Sequence, residues 1–426
     1  MAEQDAFVRH EMLAPEAPPA RETGATKWLR ENLFNGWVNS ALTVIAGYIV
    51  VSFILEIVPW FSNSAWNANS LAECREIAEG ACFAVIRERW QQFLFGFYPS
   101  DQYWRPVLAF LLLIPALAPV LFEKVPRQTF YFTAAFPFIA YWLIWGLSIW
   151  YPVTAALGFV IGAYAANYAS KQVSGVLSAG IGVLVAIIWW AVLAAPVGTL
   201  LNMILPIGLS SVESREIGGF TLTLILGVTC ISLSLPIGIL LALGRMSDLF
   251  IIKVICTGFI ELIRGVPLIT LLFVASVLLA YFLPPGNTFD LIMRVVIMVT
   301  AFASAYIAEV IRGGLAALPK GQYEAADALG LDYPQAMRLI ILPQALKISI
   351  PGIVNVFIGL FKDTTLVSVI SMFDPLGIVT PIRADADWNG IIWELYGFVA
   401  LVFFVFCYGM SQYSQYLERK LQTGHR

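Results

Sequence analysis

Hydrophobic residues run in long blocks along most of this chain, and polar positions fall mainly between the blocks. Crossing a hydrocarbon layer of about 30 Å at 1.5 Å per residue takes roughly 20 residues. Blocks of that order predict ten membrane-spanning helices, at 40–62, 105–122, 129–150, 152–169, 175–195, 217–244, 266–283, 289–311, 344–361 and 391–411. An even number of crossings puts both ends on one side. The stretch 150–195 also admits other divisions into spans. Two segments do not read as simple spans. Residues 248–264 interleave Lys253, Glu261 and Arg264 with hydrophobic positions, the pattern of a helix lying along the inner interface. Gly265 and Pro267 break it before the next span. Residues 364–373 are too short to cross and predict a re-entrant or broken helix, tolerated where backbone lines a cavity or is buried in protein.

Composition agrees. Of 426 residues, 59% are hydrophobic and 12% charged, and the mean hydropathy is +0.79. A soluble domain carries about a quarter charged residues, so an all-α polytopic membrane protein is expected. The first hydrophobic block begins near Ser40, past the place of a cleavable signal peptide, and is expected to remain as a span. Most of the 25 basic residues fall on one side if both termini are cytoplasmic, and every short inner loop then carries one. The balance of 25 basic against 28 acidic residues gives no reason to expect nucleic acid. His10 and His425 both lie in terminal tails, which argues against histidine metal sites, Ser-His-Asp triads and imidazole proton relays in the membrane. No G-x-x-x-x-G-K-[ST] phosphate loop occurs, so ATP binding in that mode is not expected of this chain, nor is any cofactor.

These patterns divide the chain into a polar tail at 1–39, expected to be mobile over 11–25, and a five-span stretch at 40–216 with a hydrophilic outer loop at 63–104. Residues 217–417 hold five further spans and most of the intramembrane charge, and 418–426 are a second inner tail. There is no fixed-period repeat and no low-complexity tract. Cys230, Cys256 and Cys407 fall in hydrophobic helices and read as small buried residues. Cys74 and Cys82 lie in the outer loop, where a periplasm would permit a disulfide. Eight residues of continuous helix span about 12 Å, so a bridge needs a turn, which Gly80 is placed to make. A disulfide and two free thiols both remain open.

A mostly polar, well-capped segment lies between two spans at 321–346, GQYEAADALGLDYPQAMRLIILPQAL. A simple return to the bilayer takes only a few residues. Here Gly321–Leu329 offers one short helix with Ala325, Ala326 and Ala328 as a close-approach surface. Gly330 stands just past its end, where a left-handed conformation is favoured. Asp332 can cap a second helix with Gln335 three residues on. Pro334 costs little in a first turn, and Pro343 bends the start of the next span. Glu324 can pair with a basic residue of a partner. The segment reads as a docking surface; the plainer alternative is an amphipathic connector sealing the inner face of the bundle.

The run Glu324-Ala325-Ala326, Gly330, Ile340-x-Leu342-Pro343 resembles the EAA loop of ATP-binding-cassette importer permeases. Ile263-Arg264-Gly265-Val266-Pro267-Leu268, Ala305-Tyr306-Ile307-Ala308-Glu309, Arg312-Gly313-Gly314, Pro319-Lys320-Gly321-Gln322 and Lys362-Asp363-Thr364 resemble the polar amino acid subgroup. The chain departs at Leu318, where Ile is frequent, and at Thr365, where Ser is. Gly80-Ala81-Cys82, Tyr98-Pro99 and Trp104-Arg105 are similar to the longer membrane subunit of general L-amino-acid importers or their glutamate/glutamine/aspartate relatives. The resemblance implies a type I ABC importer permease core of five spans over 217–417, with a coupling loop at 313–343 and an N-terminal extension of about five spans. It implies import of L-amino acids across a bacterial inner membrane by alternating access. The implied partners are a second permease subunit, an ATPase homodimer carrying ATP and Mg, and a periplasmic amino-acid-binding protein. It implies ATPase coupling by Gln322, Tyr323, Glu324, Ala325, Ala326 and Gly330.

Charged groups inside the membrane are costly and are candidates by default for the pathway. Glu309 near the inner end of its span reads first as an ion pair with Arg264 or Arg312, and second as a substrate contact. Lys362 and Asp363 either pair with each other or line a cavity for a zwitterion. Thr221, Thr223, Ser304 and Asn355 offer uncharged hydrogen bonds, though Ser and Thr in spans more often bond their own or a neighbouring helix. Gly158 and Gly162 form GxxxG, read as a packing motif. An ion- or proton-coupled secondary transporter is the runner-up; it expects repeated broken helices in two halves, and no such repeat is found.

Overall fold

The computed structural model describes residues 24–173, 175–278 and 290–422. Both histidines, most of the segment expected to be mobile and the outer end of the span expected at 266–283 lie outside the described residues. Two compact units result, Met1–Ala84 and Val85–Arg426.

The first unit holds α1 (Gly24–Asn32), α2 (Trp37–Ser62) and α3 (Leu71–Ile77). The Thr43 hydroxyl on α2 donates to the Leu33 carbonyl at 2.8 Å, fixing the turn between the first two helices. Ser70 caps α3 by accepting from the Glu73 N–H at 3.2 Å, and the Glu73 carboxylate accepts from Asn69 N–H at 2.8 Å. These satisfy donors that a helix start otherwise leaves orphaned. After Ile77 the chain turns back, and Gly80 and Ala81 donate to the carbonyls of Asn63 and Trp60 at 3.2 and 2.8 Å. That return brings the Cα atoms of Cys74 and Cys82 to 5.8 Å, and the two are disulfide-bonded. Phe83 packs there against Trp60, Phe61 and Trp66, with ring centroids 4.9 to 5.9 Å apart.

The second unit begins with α4 (Ala84–Phe95), α5 (Trp104–Leu121), α6 (Phe130–Trp145) and α7 (Trp150–Ala169). Next, α8 (Gly175–Ile188) runs through a π turn at Trp189–Leu193 into α9 (Ala194–Ile204). The ambiguous stretch therefore resolves into α7 and one long broken helix. Antiparallel pairing of Leu147–Ser148 with Gly208–Leu209 ties the ends of these helices together. Gly158 and Gly162 make the packing work. A Cβ on Gly162 would sit 2.8 Å from the Gly182 carbonyl oxygen and 2.9 Å from the Ala186 methyl, and Gly158 lies against the Trp190 indole. The Trp189 and Trp190 indoles donate to the carbonyls of Thr154 and Ala155 at 2.9 and 3.0 Å. Small residues let backbones approach and polar groups join the helices, as membrane interiors favour.

Next come α10 (Gly219–Arg245), α11 (Phe250–Arg264), α12 (Leu268–Phe273, extended by a π turn to Leu278), α13 (Leu291–Ala316), α14 (Lys320–Ala328) and α15 (Tyr333–Ala336). A π turn at Met337–Ile341 leads to α16 (Leu342–Asp363), followed by α17 (Pro375–Ala384) and α18 (Trp393–Gln422). The axes of α11 and α12 differ by 102° across Gly265–Pro267. One apolar cluster joins Leu222, Leu226, Leu272, Val295, Val299 and Val367. A second joins Ala242, Ile260, Ile311, Leu315, Met337 and Ile341, so α10, α11 and α13 share a core with the segment after α14.

Every expected span coincides with a helix, but among the described residues seven helices are long and apolar enough alone, or eight with the bent pair. α6 has only 16 residues, and α12 with its π turn ends at Leu278, beside residues that are not described. Two boundaries differ from expectation. The outer stretch 63–104 is not one loop: from Val85 onward it belongs with the core. Thr221 donates to the Leu94 carbonyl at 2.8 Å, Gly218 N–H to Phe95 at 3.3 Å and Phe97 N–H to Glu216 at 3.1 Å, while Arg89 pairs with Asp385. Residues 364–370 continue α16 as a 3-10 turn rather than forming a separate helix, until Ser371 at φ 63° ends it and Asp374 caps α17. The two ends of the bundle are distinct. At one, Lys420 pairs with Glu123 at 2.6 Å and Tyr413 donates to the Leu121 carbonyl at 2.6 Å. At the other, Arg105 donates to the carbonyl and hydroxyl of Ser210 at 2.7 and 2.6 Å.

Candidate coupling surface and translocation pathway

Pro319 starts α14 from an extended φ/ψ, and Leu329 ends it with its N–H on the Ala325 carbonyl. Gly330 follows at φ 71° with nothing within 4 Å of a would-be Cβ, so glycine is required there by backbone conformation alone. The Leu331 N–H reaches back to the Ala326 carbonyl at 3.2 Å, closing the helix end. Asp332 then caps α15 by accepting from Gln335 N–H at 2.8 Å. The two short helices are thereby held at a fixed elbow.

Glu324, Ala325 and Ala328 are exposed, while Ala326 is buried. The close-approach surface expected of three alanines therefore reduces to two, because a nine-residue helix lying on the bundle must turn one face inward. Tyr323 and Gln322 are half-buried on the inward side. Tyr323 packs against the inner apolar cluster, where burial pushes its phenol above the ordinary value. The Gln344 amide donates to the Gln322 side chain at 2.9 Å and to the Ile340 carbonyl at 3.0 Å, tying α14 to the start of α16. Around this elbow Leu329, Tyr333 and Leu339 stand exposed.

Glu309 lies about two turns from the C-terminal end of α13 and gathers three arginines. Arg312 donates to it at 2.5 and 2.8 Å, Arg245 at the end of α10 lies at 3.2 Å, and Arg264 at the end of α11 lies at 3.8 Å. Arg245 also meets Glu261 at 2.8 Å, and the Arg264 guanidinium stacks 5.4 Å over Tyr306. The sequence predicts Arg264 and Arg312 as partners but not Arg245, although its place at a helix end is a signal. The carboxylate joins three helices and is fully engaged within its own chain.

The other pathway residues separate into two groups. Thr221 is buried and bonded to Leu94, and Ser304 is buried and donates to the Thr300 carbonyl at 2.6 Å. Both face their own chain, as hydroxyls in apolar helices usually do. Asn355 and Lys362 are exposed on α16, seven residues apart with Gly359 between, and so share one helix face. Asp363 is half-buried and stands outside the salt bridges of the described residues, as does Lys362. Lys362 and Asp363 remain charge neighbours, and costly polar groups on a membrane helix keep this face a candidate for the pathway.

The site thus combines a polytopic helical bundle, a capped and exposed elbow, and a polar face on the span that follows it. The family described as "Binding-protein-dependent transport system inner membrane component" matches residues 234–423. The chain belongs to that family and is a multi-pass protein of the inner membrane. It is 58% identical over 429 residues, 99% of each chain, to the glutamate/glutamine/aspartate/asparagine transport system permease protein BztC of Rhodobacter capsulatus. It is 39% identical over 415 residues, 96% of this chain and 97% of the other, to the inner membrane amino-acid ABC transporter permease protein YhdY of Escherichia coli. Half of it matches 95% of the probable glutamine ABC transporter permease protein GlnM of Bacillus subtilis at 33% identity. A solved structure described as an amino acid ABC transporter with histidines is 33% identical, covering 46% of this chain and 90% of that one, with a TM-score of 0.43. The family core over 234–423 is thus preceded by an N-terminal extension.

Proposed function

We propose that this chain is one permease of an ATP-driven importer that carries L-amino acids across the inner membrane by alternating access. The observation that carries the reading is the exposed elbow of α14, Gly330 and α15, rigidly capped on both sides and packed on the same apolar cluster as α10, α11 and α13. A force applied to Glu324, Ala325 and Ala328 is delivered through Tyr323 and Gln322 to that cluster, moving the inner ends of three helices together. The chain's lack of a phosphate loop fits an energy source outside it: an ATPase homodimer holding ATP and Mg. Both termini and the elbow lie in the cytoplasm in this reading, supported by the distribution of basic residues.

Cargo passes along the α16 face bearing Asn355 and Lys362, completed by a second permease subunit, and a periplasmic binding protein delivers it. The amino acid cargo follows the names of the relatives. Glu309 is a structural joint in this scheme rather than a substrate contact, Thr221 ties α10 to α4, and Ser304 bonds within α13. Co-purification with the ATPase and second permease, followed by binding-protein-stimulated ATP hydrolysis across a panel of amino acids, tests the reading. Stimulation by none of them would reject it.

A further inference from the structure

The helix α11 carries more than its packing requires. Projected down its axis it has three faces. Ile260 and Ile263 are buried against α10 and α13. Opposite them Phe250, Ile251, Val254, Ile255 and Leu262 are exposed, from 51% to 78%. Lys253, Thr257 and Arg264 fall along the edge between. The 102° bend into α12 means that this helix does not simply continue the crossing segment. An apolar outer face beside a basic edge is the signature of a helix seated in the headgroup region.

The charge at this edge is not balanced. Lys253, Arg245, Arg264 and Arg312 outnumber Asp248, Glu261 and Glu309 around it. Lys253 is exposed and stands outside the salt bridges of the described residues. Arg264 is the weakest of the three holds on Glu309, at 3.8 Å, and its buried Nε has no hydrogen-bond partner among the described residues. A partly exposed guanidinium held only at 3.8 Å, one lysine and an apolar face together fit an acyl chain joined to a phosphate.

We propose that α11 is a docking surface for anionic phospholipid, its apolar face among the acyl chains and the Lys253–Arg264 edge on the phosphates. A phosphate drawn to Arg264 competes with Glu309, so lipid charge sets how tightly α11 is tied to α10 and α13. Lipid selectivity belongs to this chain alone, and its failure would leave the coupling reading untouched.

The test uses the full chain, purified and delipidated, with native mass spectrometry counting bound phosphatidylglycerol against phosphatidylcholine of matched acyl chains. The wild type is expected to prefer phosphatidylglycerol. Lys253→Gln, at an exposed site that leaves the fold intact, is expected to cut that preference about fivefold, the effect of one basic residue at an anionic surface. Arg264→Gln should do the same, and Ile255→Asn should lower retention of both lipids. Millimolar inorganic phosphate should not displace the lipid. Equal binding of the two lipids by the wild type, an unchanged preference in Lys253→Gln, or full displacement by phosphate would each overturn the proposal. So would protection of the α11 face from a water-borne label by the second permease alone, with lipid having no effect.

Discussion

Between α7 and α8, Gly158 and Gly162 bring two helices so close that no side chain fits, and two indoles seal the contact with hydrogen bonds to backbone. Between α10, α11 and α13 the helices also pack closely, with Gly238 against Ile307, but there one carboxylate is shared among three arginines as well, at 2.5 to 3.8 Å. The first contact has a single geometry, because any slide drives backbone into backbone. The second can lengthen one bond and shorten another without leaving Glu309 unpaired. The contact in the extension is thus set by backbone approach, while in the core a shared carboxylate adds to the apolar packing. The elbow at Gly330 packs on the apolar cluster that α10, α11 and α13 share.

Gly162→Leu would break the comparison most severely. Four extra carbons directed at the Gly182 carbonyl and the Ala186 methyl cannot be absorbed without separating α7 from α8. Overpacking of this sort costs about 1–3 kcal/mol or more. Lower accumulation in the membrane and a lower unfolding temperature in detergent are expected; wild-type behaviour would show the extension to be pliable. Glu309→Ala comes next, since it leaves Arg245, Arg264 and Arg312 without their shared acceptor. Removing one partner of such a set costs about 2–3 kcal/mol, read as a shift in thermal midpoint, and Glu309→Gln should recover part of it. Equal stability of Glu309→Ala and wild type would mean the joint carries no load.

Asn355→Leu and Lys362→Gln should leave stability near wild type, because both side chains are exposed. Their effect is expected on uptake by the reconstituted importer, with basal ATP hydrolysis preserved. A stability loss without an uptake change would return these residues to a structural role. Thr221→Val sits at the small end. It removes one hydrogen bond to the Leu94 carbonyl and costs about 1 kcal/mol by chemical unfolding, without altering transport.

Much of this arrangement is legible in the chain. Long apolar blocks mark the spans, because nothing else satisfies a backbone in hydrocarbon. Gly330 and Asp332 mark the elbow, because cap chemistry is local and acts within four residues. What escapes a linear reading is every contact whose partners are far apart. Arg245 reads as an orientation signal until α13 brings Glu309 to it. Asp385 gives no sign of Arg89, nor Leu94 of Thr221, so the assignment of Val85 onward to the core could not be read locally. Ala326 shows the same limit on a smaller scale: three alanines are equivalent in sequence, and only the seating of α14 on the bundle decides which one is buried.

The central claim is that the elbow after α14 turns ATP hydrolysis into helix movement, and Gly330→Val addresses it most directly. Valine at φ 71° is strained by about 1–2 kcal/mol, yet no atom lies near enough to clash, so insertion and folding should survive while the elbow is reset. In proteoliposomes holding the assembled importer, uptake and ATP hydrolysis are measured together with saturating binding protein. The expected result is hydrolysis retained and uptake reduced about tenfold, the rate equivalent of ~1.4 kcal/mol. Uptake at the wild-type rate in correctly inserted Gly330→Val would contradict the account.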